Sequence, residues 1–122
     1  MNYLVMPLSV FRGLSFTDYV FIPSPDSDLG QDLTDYTLLA EVRDRPGGTL
    51  LATFSLTKDT APPGVQNGAG WVQIYLDDTD TTAIPAAYSR GTWSLLAGLS
   101  GVNPEVIAAG SVEILQSATT WV

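Results

Sequence analysis

The alternation of apolar and polar residues is clearest in residues 32–57. Every second residue from 36 to 42 is apolar, and so is every second residue from 50 to 56. Because successive side chains of a β-strand point to opposite faces of a sheet, this period of two predicts two half-buried strands. Residues 44–48 lie between them and contain one proline and two glycines, which suits a tight reversal. The segment is therefore predicted to form an antiparallel hairpin with one face toward a core.

Similar patterns predict five further strands. These are residues 3–11, 14–22, 71–76, 92–99 and 105–115. Pro7 cannot donate a backbone hydrogen bond, so the first of these strands is predicted at a sheet edge. The second strand has apolar residues on both faces, which indicates either cover on both sides or a place in an interface. Gly110 in the last strand predicts a bulge or a close approach of another backbone.

The segments between the strands complete the predicted fold. Residues 77–85 predict a single helical turn with Asp78 or Thr79 as its N-cap, and residues 58–70 predict a long irregular connection. Seven strands with one short helical turn predict an all-β fold, either an antiparallel sandwich or a flattened barrel. At 122 residues the chain is predicted to form one domain, residues 1–122.

The charge balance narrows the classes of partner. The chain has 13 acidic and 5 basic residues, which gives a formal net charge of −8. This charge repels nucleic acid and anionic membrane surfaces, so neither is expected as a partner. Only 15% of the residues are charged while 45% are hydrophobic, so we expect part of the apolar surface to face partner subunits.

The chain contains neither cysteine nor histidine. Without cysteine, disulfides and thiolate zinc sites are excluded. Without histidine, the chain lacks the side chain that most often acts as a general base and as a transition-metal ligand. We expect a protein that is not an enzyme and has no cofactor. The N-terminus lacks the pattern of a signal peptide, and no apolar run approaches the roughly 20 residues that span a bilayer, so synthesis in a cytoplasm is expected.

Two groups of aspartates raise the question of a metal site. They are Asp26, Asp28 and Asp32 in a loop, and Asp77, Asp78 and Asp80 near the helical turn. The first group lacks the ligand spacing of an EF-hand, which favours a solvated acidic loop over a calcium site. The second group could bind a cation or act as a glycosidase carboxylate pair, but helix capping is the favoured role. We therefore predict no metal site and no catalytic residue.

Aromatic residues at outward strand positions form the candidate interface. The apolar pair at the C-terminus is expected to dock on the body or on a neighbour. The predicted partner-contacting residues are Tyr19, Phe21, Trp71, Tyr75, Trp121 and Val122. An alternative use of Trp71, Tyr75 and Trp93 is a stacking platform for sugars, although alternation in residues 92–99 favours a core position for Trp93.

Several short motifs occur in a characteristic order. They are residues 32–36 (DLTDY), 40–43 (AEVR), 48–54 (GTLLATF), 79–85 (TDTTAIP), 91–95 (GTWSL) and 109–114 (AGSVEI). Together they resemble small structural proteins encoded in the tail modules of tailed bacteriophages and prophages. The resemblance covers residues 32–115, with N-terminal strands and a loop before it (1–31) and a short tail after it (116–122).

This resemblance implies an immunoglobulin-like β-sandwich of about seven strands in the virion. The implied function is that of a non-enzymatic structural protein of the tail, at the baseplate or at the attachment of the tail fibres. The expected partners are further copies of the chain, with a trimer by analogy to tail fibres, and other virion proteins. Two alternatives remain open, a capsid decoration or head-fibre protein and a module that binds host carbohydrate.

Overall fold

The computed structural model describes residues 3–25 and 29–116. These residues form nine strands and one helix. In chain order the elements are β1 (Leu4–Val5), β2 (Leu8–Arg12), β3 (Phe16–Phe21), β4 (Thr37–Arg43), β5 (Leu50–Thr53), β6 (Ser55–Lys58), β7 (Trp71–Leu76), α1 (Asp78–Thr82), β8 (Arg90–Gly98) and β9 (Glu105–Gln116).

The strands form two sheets that pack face to face. The larger sheet has the order β1-β9-β8-β4-β5, with β2 also on β9, and the smaller has the order β3-β7-β6. Two packed sheets with one short helix form a β-sandwich. The predicted all-β sandwich is therefore confirmed.

One edge of the larger sheet differs from the predicted antiparallel pairing. Both β1 and β2 run parallel to β9, while the other strand pairs are antiparallel. A hairpin forces antiparallel pairing, but no such constraint acts between the first and last strands of the described chain. Pro7 lies between β1 and β2, so its predicted place at a sheet edge is confirmed.

Residues 50–57, predicted as one strand, form two strands in different sheets. Here β5 pairs with β4 in the larger sheet and β6 pairs with β7 in the smaller. Phe54 lies at the crossing, where its amide donates to the Ala40 carbonyl at 2.9 Å. Its buried ring lies 6.0 Å from Phe16 and 5.8 Å from Trp93, centroid to centroid. The apolar period continues through the crossing because Phe54 fills the core between the sheets.

The core lies between the two sheets and is filled by alternate residues of each strand. Val20, Ile74 and Leu95 are examples from both sheets. Trp93 is only 2% exposed and donates its Nε1–H to the Met6 carbonyl at 2.7 Å, so its predicted core position is confirmed. A Cβ on Gly110 would lie 2.4 Å from the same Met6 oxygen, which confirms the predicted close approach of another backbone.

Helix α1 begins at an N-cap one residue earlier than predicted. Asp77 caps it, accepting from the Asp80 amide at 2.8 Å, while Asp80 Oδ2 accepts from the Asp77 amide at 3.2 Å. The cap is therefore Asp77 rather than Asp78 or Thr79. Thr81 is fully buried and donates its hydroxyl to the Leu14 carbonyl at 2.9 Å, which fixes the helix to the turn between β2 and β3.

Candidate functional site

Outward side chains of the smaller sheet form the first part of the site. The register of β3 and β7 places three pairs of outward residues opposite one another. They are Thr17 with Tyr75, Tyr19 with Gln73, and Phe21 with Trp71. The intervening residues of both strands point toward the core, as buried Val20 and Ile74 show. Four of the six predicted interface residues therefore share one surface, here called the aromatic face.

The aromatic face is ordered by contacts between its own side chains. The rings of Phe21 and Trp71 lie 5.2 Å apart, centroid to centroid, and are tilted by 52°. Gln73 extends its Nε2 toward the Tyr19 hydroxyl at 3.5 Å. On β6, Ser55 and Thr57 continue the same surface. Among these described outward positions of β3, β6 and β7 there is no charged side chain, so the face can be covered without burying a charge.

A groove of about 680 Å³ adjoins the aromatic face at the open edge of the sandwich. It is here called the aromatic groove. Residues of the aromatic face line one part of it, and residues at the beginnings of β1 and β9 line another part. The lining residues are Tyr3, Leu4, Tyr19, Phe21, Ile22, Pro23, Trp71, Glu105, Val106 and Ile107. Tyr3 is 50% exposed, so the groove is open to solvent on that side.

A second groove of about 770 Å³ lies beside the first. It is here called the loop groove, because it is lined by residues of the segments 22–25, 31–36 and 97–107. The two grooves share Ile22, Pro23, Glu105 and Ile107. Leu99 and Val102 contribute exposed apolar surface to the second groove. The grooves have the size range of ligand sites, and both are lined mostly by apolar residues.

Glu105 is the one charged side chain among the described residues that line either groove. It is exposed, and within residues 3–25 and 29–116 it forms no ion pair. A carboxylate beside aromatic side chains, in a chain of net charge −8, creates a negative potential at the groove. The groove therefore favours cationic over anionic ligands.

The edge of β3 next to the groove is partly closed to other strands. Asp18 lies on the same side of β3 as buried Val20, and its Oδ1 accepts from the Tyr19 amide at 2.8 Å. An inward-facing carboxylate that accepts a hydrogen bond from a free amide of an edge strand opposes the pairing of that edge with a further strand. Partners are therefore expected to contact side chains at this edge rather than to extend the sheet.

Three of the aspartates considered as metal ligands, Asp32, Asp77 and Asp80, have structural partners. Asp77 and Asp80 hydrogen-bond each other's amides in the cap of α1, which confirms the predicted capping role. Asp32 accepts from the Thr34 hydroxyl at 2.7 Å and from the Thr34 amide at 3.0 Å, and these bonds hold the pKa of Asp32 below its usual value. Asp26 and Asp28 lie outside the described residues. Within the described part of the chain, no group of three acidic residues is close enough to hold a metal ion.

The predicted interface residues are only partly brought together. Trp121 and Val122 lie outside the described residues, so their predicted docking is not visible. Sequence reasoning missed Tyr3 and Glu105, which are distant in the chain from the aromatic face and join it only through the parallel pairing of β1 with β9. An exposed glutamate at a strand end carries no local signal that could have identified it.

The chain was compared with models of known protein families and with curated proteins. No family model matches it, and no curated protein is significantly similar. The resemblance to phage tail proteins therefore stays a prediction. Among the described residues, no helix is both long and apolar enough to cross a bilayer.

Proposed function

We propose that the protein is a non-enzymatic structural protein of a bacteriophage virion, which acts by assembly in the tail at the baseplate or at the fibre attachment. The single observation that carries the assembly role is the aromatic face, which brings Tyr19, Phe21, Trp71 and Tyr75 together on one uncharged surface. The ordered motifs of residues 32–115 support the phage context.

The composition of the aromatic face suits a protein interface. Interface cores are enriched in aromatic residues and depleted of charged ones, and a few such residues supply most of the binding energy. Covering the exposed part of one such ring contributes on the order of 1 kcal/mol. The face also adjoins the aromatic groove, so a partner can bury side chains there as well as cover the sheet.

The carboxylates provide an argument for a non-enzymatic role. Asp77 and Asp80 are the pair that sequence reasoning considered for glycoside hydrolysis, and both accept hydrogen bonds from the cap of α1. A pair held in this way supports the helix rather than a reaction. Trp93 is buried, so the alternative sugar platform would have to function without it.

The assembly role is tested by sedimentation equilibrium of the purified chain. We expect self-association, with a trimer as the expected species, and we expect Tyr75→Ser to weaken it by about tenfold because an interface aromatic typically contributes more than about 1 kcal/mol. Leu39→Ser is the matched control, since Leu39 is 44% exposed and belongs to the larger sheet. A monomeric wild type, or equal effects of both variants, would contradict the role of the aromatic face.

The place in the virion is tested by cryo-electron microscopy of intact particles. We expect density that fits this sandwich at the baseplate or at the base of the tail fibres. Density on the capsid instead would select the decoration or head-fibre alternative. Particles that lack the chain altogether would refute the proposed virion function.

A further inference from the structure

We propose that the aromatic groove binds a lysine or arginine side chain of a partner protein, with apolar residues of the same partner segment continuing into the loop groove. This inference rests on the proposed function, because it names the chemistry of the partner that the assembly surface receives. It identifies a binding site for an organic cation that belongs to a polypeptide.

The first argument is the number of aromatic side chains around one depression. Tyr3, Tyr19, Phe21 and Trp71 all line the aromatic groove. The face of an aromatic ring attracts an ammonium or guanidinium group, and several rings around one site form the arrangement that recognises alkylated ammonium ions. The tilt of 52° between Phe21 and Trp71 presents two differently directed ring surfaces instead of one flat platform. Such an arrangement surrounds a cation better than it stacks on a planar ligand.

The second argument is charge complementarity. Glu105 supplies a carboxylate at the groove, and the described residues that line the groove include no lysine or arginine. An aromatic site with a carboxylate and without a competing cation selects positive charge over a neutral apolar group of the same shape. The net charge of −8 acts in the same direction over a longer range.

The third argument concerns the source of the cation. Glu105 lines both grooves, so a cation beside it lies where the two depressions meet. A free small cation would fill only this position and leave the apolar surface of Leu99 and Val102 uncovered. A polypeptide segment with apolar residues on either side of its cationic residue covers both grooves. The partly closed edge of β3 further favours side-chain insertion over strand addition.

The inference is tested with short blocked peptides and NMR titration of the full-length chain. The probe is a five-residue peptide with a central lysine flanked on each side by leucine and then serine. Its matched control has norleucine in place of lysine, which removes the charge and keeps the apolar chain. We expect the lysine peptide to bind about fivefold to tenfold more tightly, with shifts at Trp71 and Glu105, because the ion pair and the ring contacts both depend on the charge.

Variants of the chain locate the binding site. Glu105→Gln removes the charge and retains the shape, and we expect it to weaken the lysine peptide by about threefold without affecting the norleucine peptide. Glu113→Gln is the matched control, since Glu113 is also an exposed glutamate of β9 but lines neither groove. Equal binding of the two peptides, equal effects of the two variants, or no binding would refute the cation site.

A further arm separates the two possible sources of the cation. Choline is compared with 3,3-dimethylbutanol, its uncharged analogue, in the same titration. Choline binding as tight as that of the lysine peptide would refute the polypeptide occupant, whereas weaker choline binding supports it. Self-association is measured separately with Tyr75→Ser, and Tyr75 does not line the aromatic groove. The cation site and the assembly role can therefore fail independently.

Discussion

Arg12 fastens the edge of the larger sheet to the connection between α1 and β8, and its replacement should destabilise the fold. Its Nε donates to the Ile84 carbonyl at 3.1 Å, and its Nη2 donates to the Pro85 carbonyl at 2.8 Å and to the Tyr88 carbonyl. The change Arg12→Met retains most of the apolar side chain and removes every donor. The carbonyls of Ile84 and Tyr88 then lose the donor that Arg12 provides, while the Pro85 carbonyl still accepts from the Tyr88 amide at 3.1 Å.

The size of the effect follows from the exposure of these bonds. A hydrogen bond from a charged group contributes about 1.5–3 kcal/mol when it is buried, and water replaces much of that where the group is accessible. The bond to Pro85 is exposed, while the bonds to Ile84 and Tyr88 are partly buried. We therefore expect Arg12→Met to lower the free energy of unfolding by about 2–4 kcal/mol, the partly buried bonds providing most of the loss.

The measurement is urea unfolding followed by tryptophan fluorescence. We expect a lower midpoint with an unchanged dependence on urea, because the variant should expose the same surface on unfolding. Arg12→Lys should give an intermediate loss, since an ammonium group cannot reproduce the planar set of donors. Arg45→Met is the matched control because the Arg45 side chain is 77% exposed and has only a 3.5 Å ion pair with Asp44. A loss for Arg12→Met no larger than that of the control would refute the fastening role.

Two further predictions test a backbone contact and an acidic loop. Gly110→Ala should lower the free energy of unfolding by about 1–3 kcal/mol in the same urea assay, because the added Cβ would lie 2.4 Å from the Met6 carbonyl oxygen. An unchanged urea midpoint would contradict this expectation. The lowered pKa of Asp32 means that the native state favours its charged form, so its stabilising contribution is present above the unfolded pKa of about 3.8 and is lost as pH falls below it. Asp32→Asn should therefore be less stable than wild type at about pH 6, with a difference that shrinks at about pH 3, and a difference independent of pH would contradict the assignment.

Local patterns were sufficient for those parts of the fold that depend on neighbours in the chain. The period of two located the strands, Pro7 indicated an edge, and acidic residues before residue 85 indicated a capped helical turn. In each case the physical cause acts within a few residues, through the pleat of a strand, a missing amide or a free helix end.

The remaining features depend on contacts between distant segments. The sequence around Phe54 does not show that the chain changes sheets there. Phe54 is a buried apolar residue, as expected for an inward position of one continuous strand, although β5 before it and β6 after it belong to different sheets. In the sequence Arg12 has the pattern of an ordinary turn residue, and its role is visible only in the fold, where the connection after α1 lies against it. The aromatic face could be predicted because Tyr19 and Trp71 are outward on their own strands, whereas Glu105 joins them only when β9 closes the edge of the sandwich.

The distribution of the basic residues explains why a partner of this chain should bring positive charge with it. The chain has five basic residues, and three of them bind backbone carbonyls of their own fold. Arg12 holds the connection after α1, Arg43 donates to the Gly48 carbonyl at 2.7 Å, and Lys58 donates to the Tyr36 carbonyl at 2.5 Å. These cations contribute to stability and are occupied by the fold, while none of the acidic residues that the structure describes is buried. A surface that combines this acidity with the aromatic groove is complementary to cationic and apolar side chains. Two identical acidic surfaces repel each other, so contact between copies of the chain is favourable only where it is restricted to the uncharged aromatic face.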